Sequence, residues 1–428
     1  MGAVGLSGCL AADGGRTDAE EGTPTPPDPA EAYWYTHPRP TGNRYLGGDG
    51  DLRGVDPVTI EGRPKWLVAH PADRGSHWTL VTDEGRATRW RVADGEATRV
   101  GEYDPLPGGA APAVATGEGD PRLVRPPPGA GEMASPVVAP GGGSGVDAGG
   151  EGSGSNPKLL CVAGNGDLIV AGEEVTRLEV DAPPDARLSA VGDGRYALFG
   201  DATDRYTHGA LGDVTEGSSV VLVDPSVPEV DARASVGPPE VFEGIQPLVA
   251  DLDGDGDPEI VAALADSENG ARMAVFDADG DHVATGPIHE PGWRHQLVVA
   301  PLGPDGGPEL AVVRKPHVDK LLEFYRLDGG SLDVAASHTG FSTHSYGSRI
   351  EDGAIAGDLD GDGATEVLLP TSDRDVLAAV SREPGDASVA WTLDPAGTVR
   401  TNLTGIALPD GRVAVGVGTE AGVRIWQG

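Results

Sequence analysis

The side chains best placed to do chemistry are carboxylates, and they fall in a nine-residue pattern that occurs twice. The first copy is DLDGDGDPE, Asp251 to Glu259, and the second is DLDGDGATE, Asp358 to Glu366. Acids stand at positions 1, 3, 5 and 9, with glycine at 4 and 6. Alternate carboxylates on a tight loop can converge on one hard cation, and Gly256 and Gly363 permit the left-handed turn that wraps the chain around it. Position 7 is Asp257 in one copy and Ala364 in the other, as expected where only a backbone carbonyl is used. Four acids packed this closely repel one another unless a cation neutralises them. The expected ligands are Asp251, Asp253, Asp255, Asp257 (carbonyl) and Glu259, then Asp358, Asp360, Asp362, Ala364 (carbonyl) and Glu366, and the expected ion is Ca2+. The competing reading is a pair of Asp-Gly hairpin turns without metal.

Other chemistry is less organised. Six of the ten histidines lie between His282 and His344, but none has the i, i+2 or H-x-x-x-H spacing that sets two rings on one metal. Asp277, Asp279 and Asp281 read as an Asp-Gly turn. No nucleophile elbow, P-loop or dinucleotide fingerprint occurs.

The elements that carry the acid loops are short. Apolar runs such as Ile260–Leu264 and Val367–Leu369 follow each loop, and no acid stands at position 12. The loops therefore join strands, unlike a helix–loop–helix hand. Gly 66 and Pro 37 among 428 residues, with no sustained 3.6-residue apolar period, read as all-β. With the acid loops as anchors, self-similarity appears every 45–55 residues, giving about seven units of four short strands. The third unit from the end carries PLGPDGGPE, Pro301 to Glu309, a decayed loop without acids at positions 1 and 3. The last unit, about 399–427, is one strand short. The expected fold is a seven-bladed β-propeller over 31–428, its last blade completed by an N-terminal strand near Tyr33–Tyr35. The Gly/Pro/Ser-rich stretch of about 126–156 is expected as a disordered insertion.

These DxDGDG loops between strands resemble the FG-GAP or VCBS repeats of integrin-alpha-like propellers. The specific motifs cover only the two intact loops and the decayed one; beyond them the resemblance is architectural. It implies calcium on the outer face of blades, a folding role for the metal, and extracellular ligand or partner binding. Glu at position 9, where Asp is usual, departs from the pattern.

The net charge is −37 with a pI near 4.4, and lysine occurs only at Lys65, Lys158, Lys315 and Lys320. Such a surface argues against nucleic acid and anionic membranes and reads as adaptation to high salt. Leu6-Ser7-Gly8-Cys9 resembles the lipobox of secreted lipoproteins, with Cys9 the lipidated residue. Only eight residues precede it, without a basic n-region, so residues 1–30 read as a truncated signal plus a tether. The expectation is a monomeric cell-surface lipoprotein, touching the membrane only through that anchor and binding an extracellular protein or carbohydrate.

In a propeller, the segments entering each innermost strand open on one mouth of the channel. They carry Trp293, Arg294, His295, His344, Tyr346, Arg349 and Arg400. Convergent arginines could hold a carboxylate or sugar acid, with Trp293 or Tyr346 stacking on a ring. Alternatively the arginines tie neighbouring blades together. An enzyme on acidic polysaccharide, lyase or hydrolase, would use His295 or Tyr346 as base and Arg349 to neutralise charge.

Overall fold

The computed structural model describes residues 28–35, 40–107, 109–116, 120–140 and 156–428. Cys9 and most of the tether lie outside the described residues. The described chain forms eight sheets, each a blade of a β-propeller, and its one helical element is a 3-10 turn, Pro29–Glu31.

Blade 1 is a four-stranded meander of Trp66–Pro71, Ser76–Val81, Ala87–Ala93 and Glu96–Tyr103. Blade 2 has three strands, with Ala32–Trp34 paired to Ala113–Ala115 and then Arg122–Leu123. Blade 3 runs from Val137–Ala139 to Val175–Leu178, and blade 4 from Ser189–Gly192 to Glu229–Ser235. Blades 5, 6 and 7 begin their inner strands at Leu248–Ala250, Arg294–Ala300 and Ile355–Asp358. Blade 8 holds Thr404–Ala407, Val413–Thr419 and Gly422–Gln427.

Three expectations are corrected. The ring has eight blades, because the stretch of about 109–182, which reads as one unit in the sequence, divides into blades 2 and 3. Its short strands carry no repeat signal, and the strand that completes blade 2 comes from far upstream. The stretch expected as disordered contributes Val137–Ala139, paired with Lys158–Leu160; of it, 141–155 lie outside the described residues. The ring is closed by Val58–Ile60, antiparallel to Val423–Ile425, and not by Tyr33–Tyr35. Tyr33 pairs with Val114 in blade 2.

Inner and middle strands, packed on both faces, are buried without a break (for example Glu259–Asp266, apolar from Ile260 to Ala265), while outermost strands alternate (Glu229–Ser235). Blade seams hold the core, as in Phe199 stacked on Phe242 at 5.6 Å across blades 4 and 5.

Between blade 2 and the closing strand the chain takes an axial route. From Pro40 to Leu52 it crosses the inner strands of blades 4 to 7. Pro40 O accepts from Ala190 N at 2.6 Å, Thr41 O from Val249 N at 2.8 Å, and Asn43 exchanges two 2.9 Å bonds with the Val299 backbone. Tyr45–Asp49 then lies parallel to Ile355–Asp358. Gly42 has φ +73°, and a Cβ there would stand 2.8 Å from Pro247 O. The close approach explains the glycine. The propeller axis is thus filled by the protein's own N-terminal segment.

Candidate functional site

Each inner strand runs from an entry face to an opposite face, where the acid loops turn the chain into the second strand. In the first loop, Gly254 N and Gly256 N donate to the two oxygens of Asp251 at 2.7 and 3.1 Å, and Leu252 N donates to Glu259 at 2.7 Å. The second loop repeats this, with Gly361 N and Gly363 N on Asp358 at 2.8 and 3.0 Å and Leu359 N on Glu366 at 3.1 Å. Backbone amides thus aim the first and last carboxylates inward in both loops. Ligand oxygens of Asp251, Asp253 and Asp255, and of Asp358, Asp360 and Glu366, lie within 4.8 Å of one another.

The position-9 glutamates decide how such a loop is neutralised. Glu366 is fully buried, and its Oε1 has no partner. Burial pushes its carboxyl up to about 8, and that of Glu259 to about 7, with the loop aspartates adding to both shifts. The decayed loop of blade 6 solves the same problem differently. Its Glu309, also fully buried, receives Arg382 at 2.7 and 3.1 Å, and Arg326 stands 3.3 Å away. Arg326 also clasps Asp305 at 2.9 and 2.6 Å and holds that carboxyl down at about 2. Guanidinium groups therefore occupy the cationic role where the acids have been lost. Among the described residues, the one ion pair at the intact loops is the long one from the largely solvent-exposed Arg53 to Asp360, at 3.8 Å. The donor set, hard oxygens with a buried carboxylate oxygen lacking a partner, fits Ca2+.

At the entry face the predicted mouth residues separate. Arg349 donates to Asp185 at 2.8 Å and to Asp213 at 2.5 Å, joining blade 7 to the long loop of blade 4. His295 is buried, bonded to Thr343 at 2.7 Å and to Glu351 O at 2.8 Å, and stacks on Trp293 at 4.3 Å. Burial holds its imidazole neutral, and that of His344 is pushed down to about 3. Arg400 pairs with Glu420 at 3.0 Å at the rim of blade 8. Arg294, at the start of the inner strand of blade 6, is fully buried, and none of its side-chain nitrogens is bonded among the described residues. Of the set, Tyr346 is freely exposed, at 71%, and the Arg400 side chain is exposed as well. The seven residues therefore share a face without lining one pocket.

The sequence places Glu243, Glu351 and Asp352 on the segments that enter the mouth but does not indicate their buried partners, nor Arg44, Arg187 and Glu216 at all. Asp352, fully buried, bonds Arg44 of the axial segment at 2.9 Å and Arg187 of blade 4 at 3.3 Å. Arg187 also donates to Tyr35 Oη at 2.9 Å and lies over the Tyr35 and Trp66 rings. Around this pair sit the buried acids Glu216, Glu243 and Glu351, all raised first by burial, Glu351 to about 8. His208 is held protonated more firmly by its bond to Glu243. No local signal marks these residues, because their partners come from remote blades.

No protein-family model matches the chain, and no curated protein is similar in sequence. Solved structures match in fold. One is a europium-containing methanol dehydrogenase, 11% identical with a TM-score of 0.50, covering 92% of this chain and 90% of its own. Another is BBS1N in complex with ARL6DN, 9% identical with a TM-score of 0.46, covering 90% of this chain and 96% of its own. At such identities the likeness to the dehydrogenase speaks for the propeller fold alone.

Proposed function

We propose that this protein is a calcium-stabilised propeller of the FG-GAP or VCBS kind, carried outside the cell on a lipid anchor at Cys9. It acts as a monomeric interaction module for an extracellular protein or carbohydrate. The observation that carries the metal is the contrast among three equivalent loops. Where the acids are intact, a buried glutamate lacks a cationic partner; where they have decayed, Arg382 and Arg326 supply one. The bound ion clamps the turn between the first two strands of blades 5 and 7. An eight-bladed propeller is consistent with an interaction module, and the acidic surface disfavours nucleic acid.

An enzyme on acidic polysaccharide is not favoured, because His295 is buried within bonds to Thr343 and Glu351, and Arg349 is committed to two carboxylates.

The test is thermal unfolding with calcium and with chelator at one ionic strength. Ligand binding to the native state stabilises by RT ln(1+[L]/Kd), about 2.7 kcal/mol at a hundredfold excess over Kd. A melting temperature indifferent to calcium overturns the reading. Mass spectrometry of the membrane fraction, with lipid on Cys9 as the expected result, tests the anchor.

A further inference from the structure

Eight non-glycine residues among those described adopt left-handed backbone conformations. Four are aspartates, which tolerate that region through local side-chain hydrogen bonds. Three others are long basic residues, Lys315 (φ 43°), Lys320 (φ 53°) and Arg374 (φ 58°). All three lie on the entry face, in the turns between the second and third strands of blades 6 and 7. Glycine would relieve such strain, so a long side chain held there needs a use.

Two of the uses are visible. Lys315 pairs with Glu290 at 3.0 Å, and Lys320 donates to Ser372 O at 3.0 Å, tying the blade 6 turn to the blade 7 turn. Arg374 is half-buried and makes no side-chain hydrogen bond or ion pair among the described residues. Asp373 and Asp375 flank it in sequence, both exposed and neither within ion-pair distance of it. Burial and the charge of Arg400 both disfavour its guanidinium. Arg374 shares this lack of a side-chain partner with Arg294, but Arg294 is fully buried whereas Arg374 reaches the surface. Its backbone is nonetheless well held, Arg374 O accepting from Val399 N at 2.7 Å.

Beside these turns stands an exposed aromatic surface. The Tyr346 ring meets His317 edge-on at 5.5 Å, and Val318 is 76% exposed. His344 Nε2 donates to Ser348 O at 2.9 Å, which makes its Nδ1 the acceptor of the 3.1 Å bond from His317 Nε2. The remaining His317 Nδ1 is then a lone-pair acceptor, suited to a hydroxyl. Arg374 and Lys320 are close enough for their charges to act on His317.

We propose that the turns of blades 6 and 7 form a recognition site for a uronic-acid sugar. The Arg374 guanidinium forks onto the carboxylate, Lys320 adds positive charge, and Tyr346 with His317 offers a ring face and a hydroxyl acceptor. This deepens the interaction-module reading and rests on it. A planar fork on a turn bonded to the one that carries His317 and Lys320 matches a six-membered sugar acid better than an extended acidic peptide, which would need an apolar groove or a free strand edge.

Isothermal titration at one calcium concentration and one ionic strength tests it, with trigalacturonate, its fully methyl-esterified form and a glutamate-rich peptide as probes. Trigalacturonate binds the wild type, and the ester does not. R374Q weakens binding roughly tenfold or more, the scale of a charge-assisted forked contact, with unchanged melting temperature. Y346A weakens it too, and R99Q, at a distant exposed arginine, does not. No binding of trigalacturonate, equal binding of the ester, an indifferent R374Q, or a peptide that binds more tightly than the sugar overturns the site. If trigalacturonate fails while melting still depends on calcium, this site alone is refuted. If it binds while melting ignores calcium, only the metal reading is refuted.

Discussion

Asp352 is the residue on which the axis depends. It neutralises two buried arginines that arrive from opposite directions, Arg44 from the axial segment and Arg187 from blade 4. Breaking one side of a buried ion pair costs about 3–5 kcal/mol, because it strands the other charge. Asp352→Asn should lower the unfolding free energy, read by denaturant titration, by that amount, whereas Asp120→Asn, at an exposed pair, should leave it unchanged. Glu351, next to it, gives a pH signature. Its native value of about 8 lies above the ordinary 4.5, so the folded state holds the proton more tightly. Its contribution is fully present below about pH 4.5 and is lost as pH rises through about 8. Glu351→Gln should therefore gain melting temperature over the wild type progressively from pH 5 to pH 8. A pH-independent difference between the two curves would contradict the assigned burial.

At the scale of elements, the axial segment and the second acid loop act together. Gly50 N donates to Asp358 O and Leu52 N to Leu359 O, both at 2.9 Å, so the backbone that leads to the closing strand is pinned to that loop. Among the described residues the first loop has no such attachment. Glu366→Gln should therefore reduce the calcium-induced rise in melting temperature and also speed amide exchange across residues 50–60. Glu259→Gln should reduce the rise alone. Gly42→Ala places a Cβ against Pro247 O at a left-handed position and should cost about 1–3 kcal/mol, read by urea denaturation. The element order was only partly legible in the sequence. Blades 5 to 7 were read correctly because their acid loops mark the turn between the first two strands. Blades 2 and 3 were merged because Ala113–Ala115, Arg122–Leu123 and Val137–Ala139 are too short to show a period.

For the whole molecule, the charge of −37 sets the response to salt. Raising ionic strength from 0.1 to 1 M shortens the screening length from about 10 Å to about 3 Å. Self-repulsion of the folded ring should fall, and the melting temperature in chelator should rise by several degrees with sodium chloride. A falling melting temperature would mean that the surface ion pairs outweigh the repulsion. What the sequence determined by itself was local: acid loops, glycine turns, strand-length apolar runs and the excess of carboxylates, all properties of residues within nine or ten positions of one another. It therefore carried the propeller class and the candidate cation loops. Only the tertiary structure decided the number of blades, the choice of Val58–Ile60 as the closing strand and the filling of the axis by residues 40–52. It also decided which arginines are paired and which, such as Arg294 and Arg374, are not. Those depend on pairings across hundreds of residues, such as Arg44 with Asp352, and a side chain's partner at that distance leaves no pattern in the chain around it.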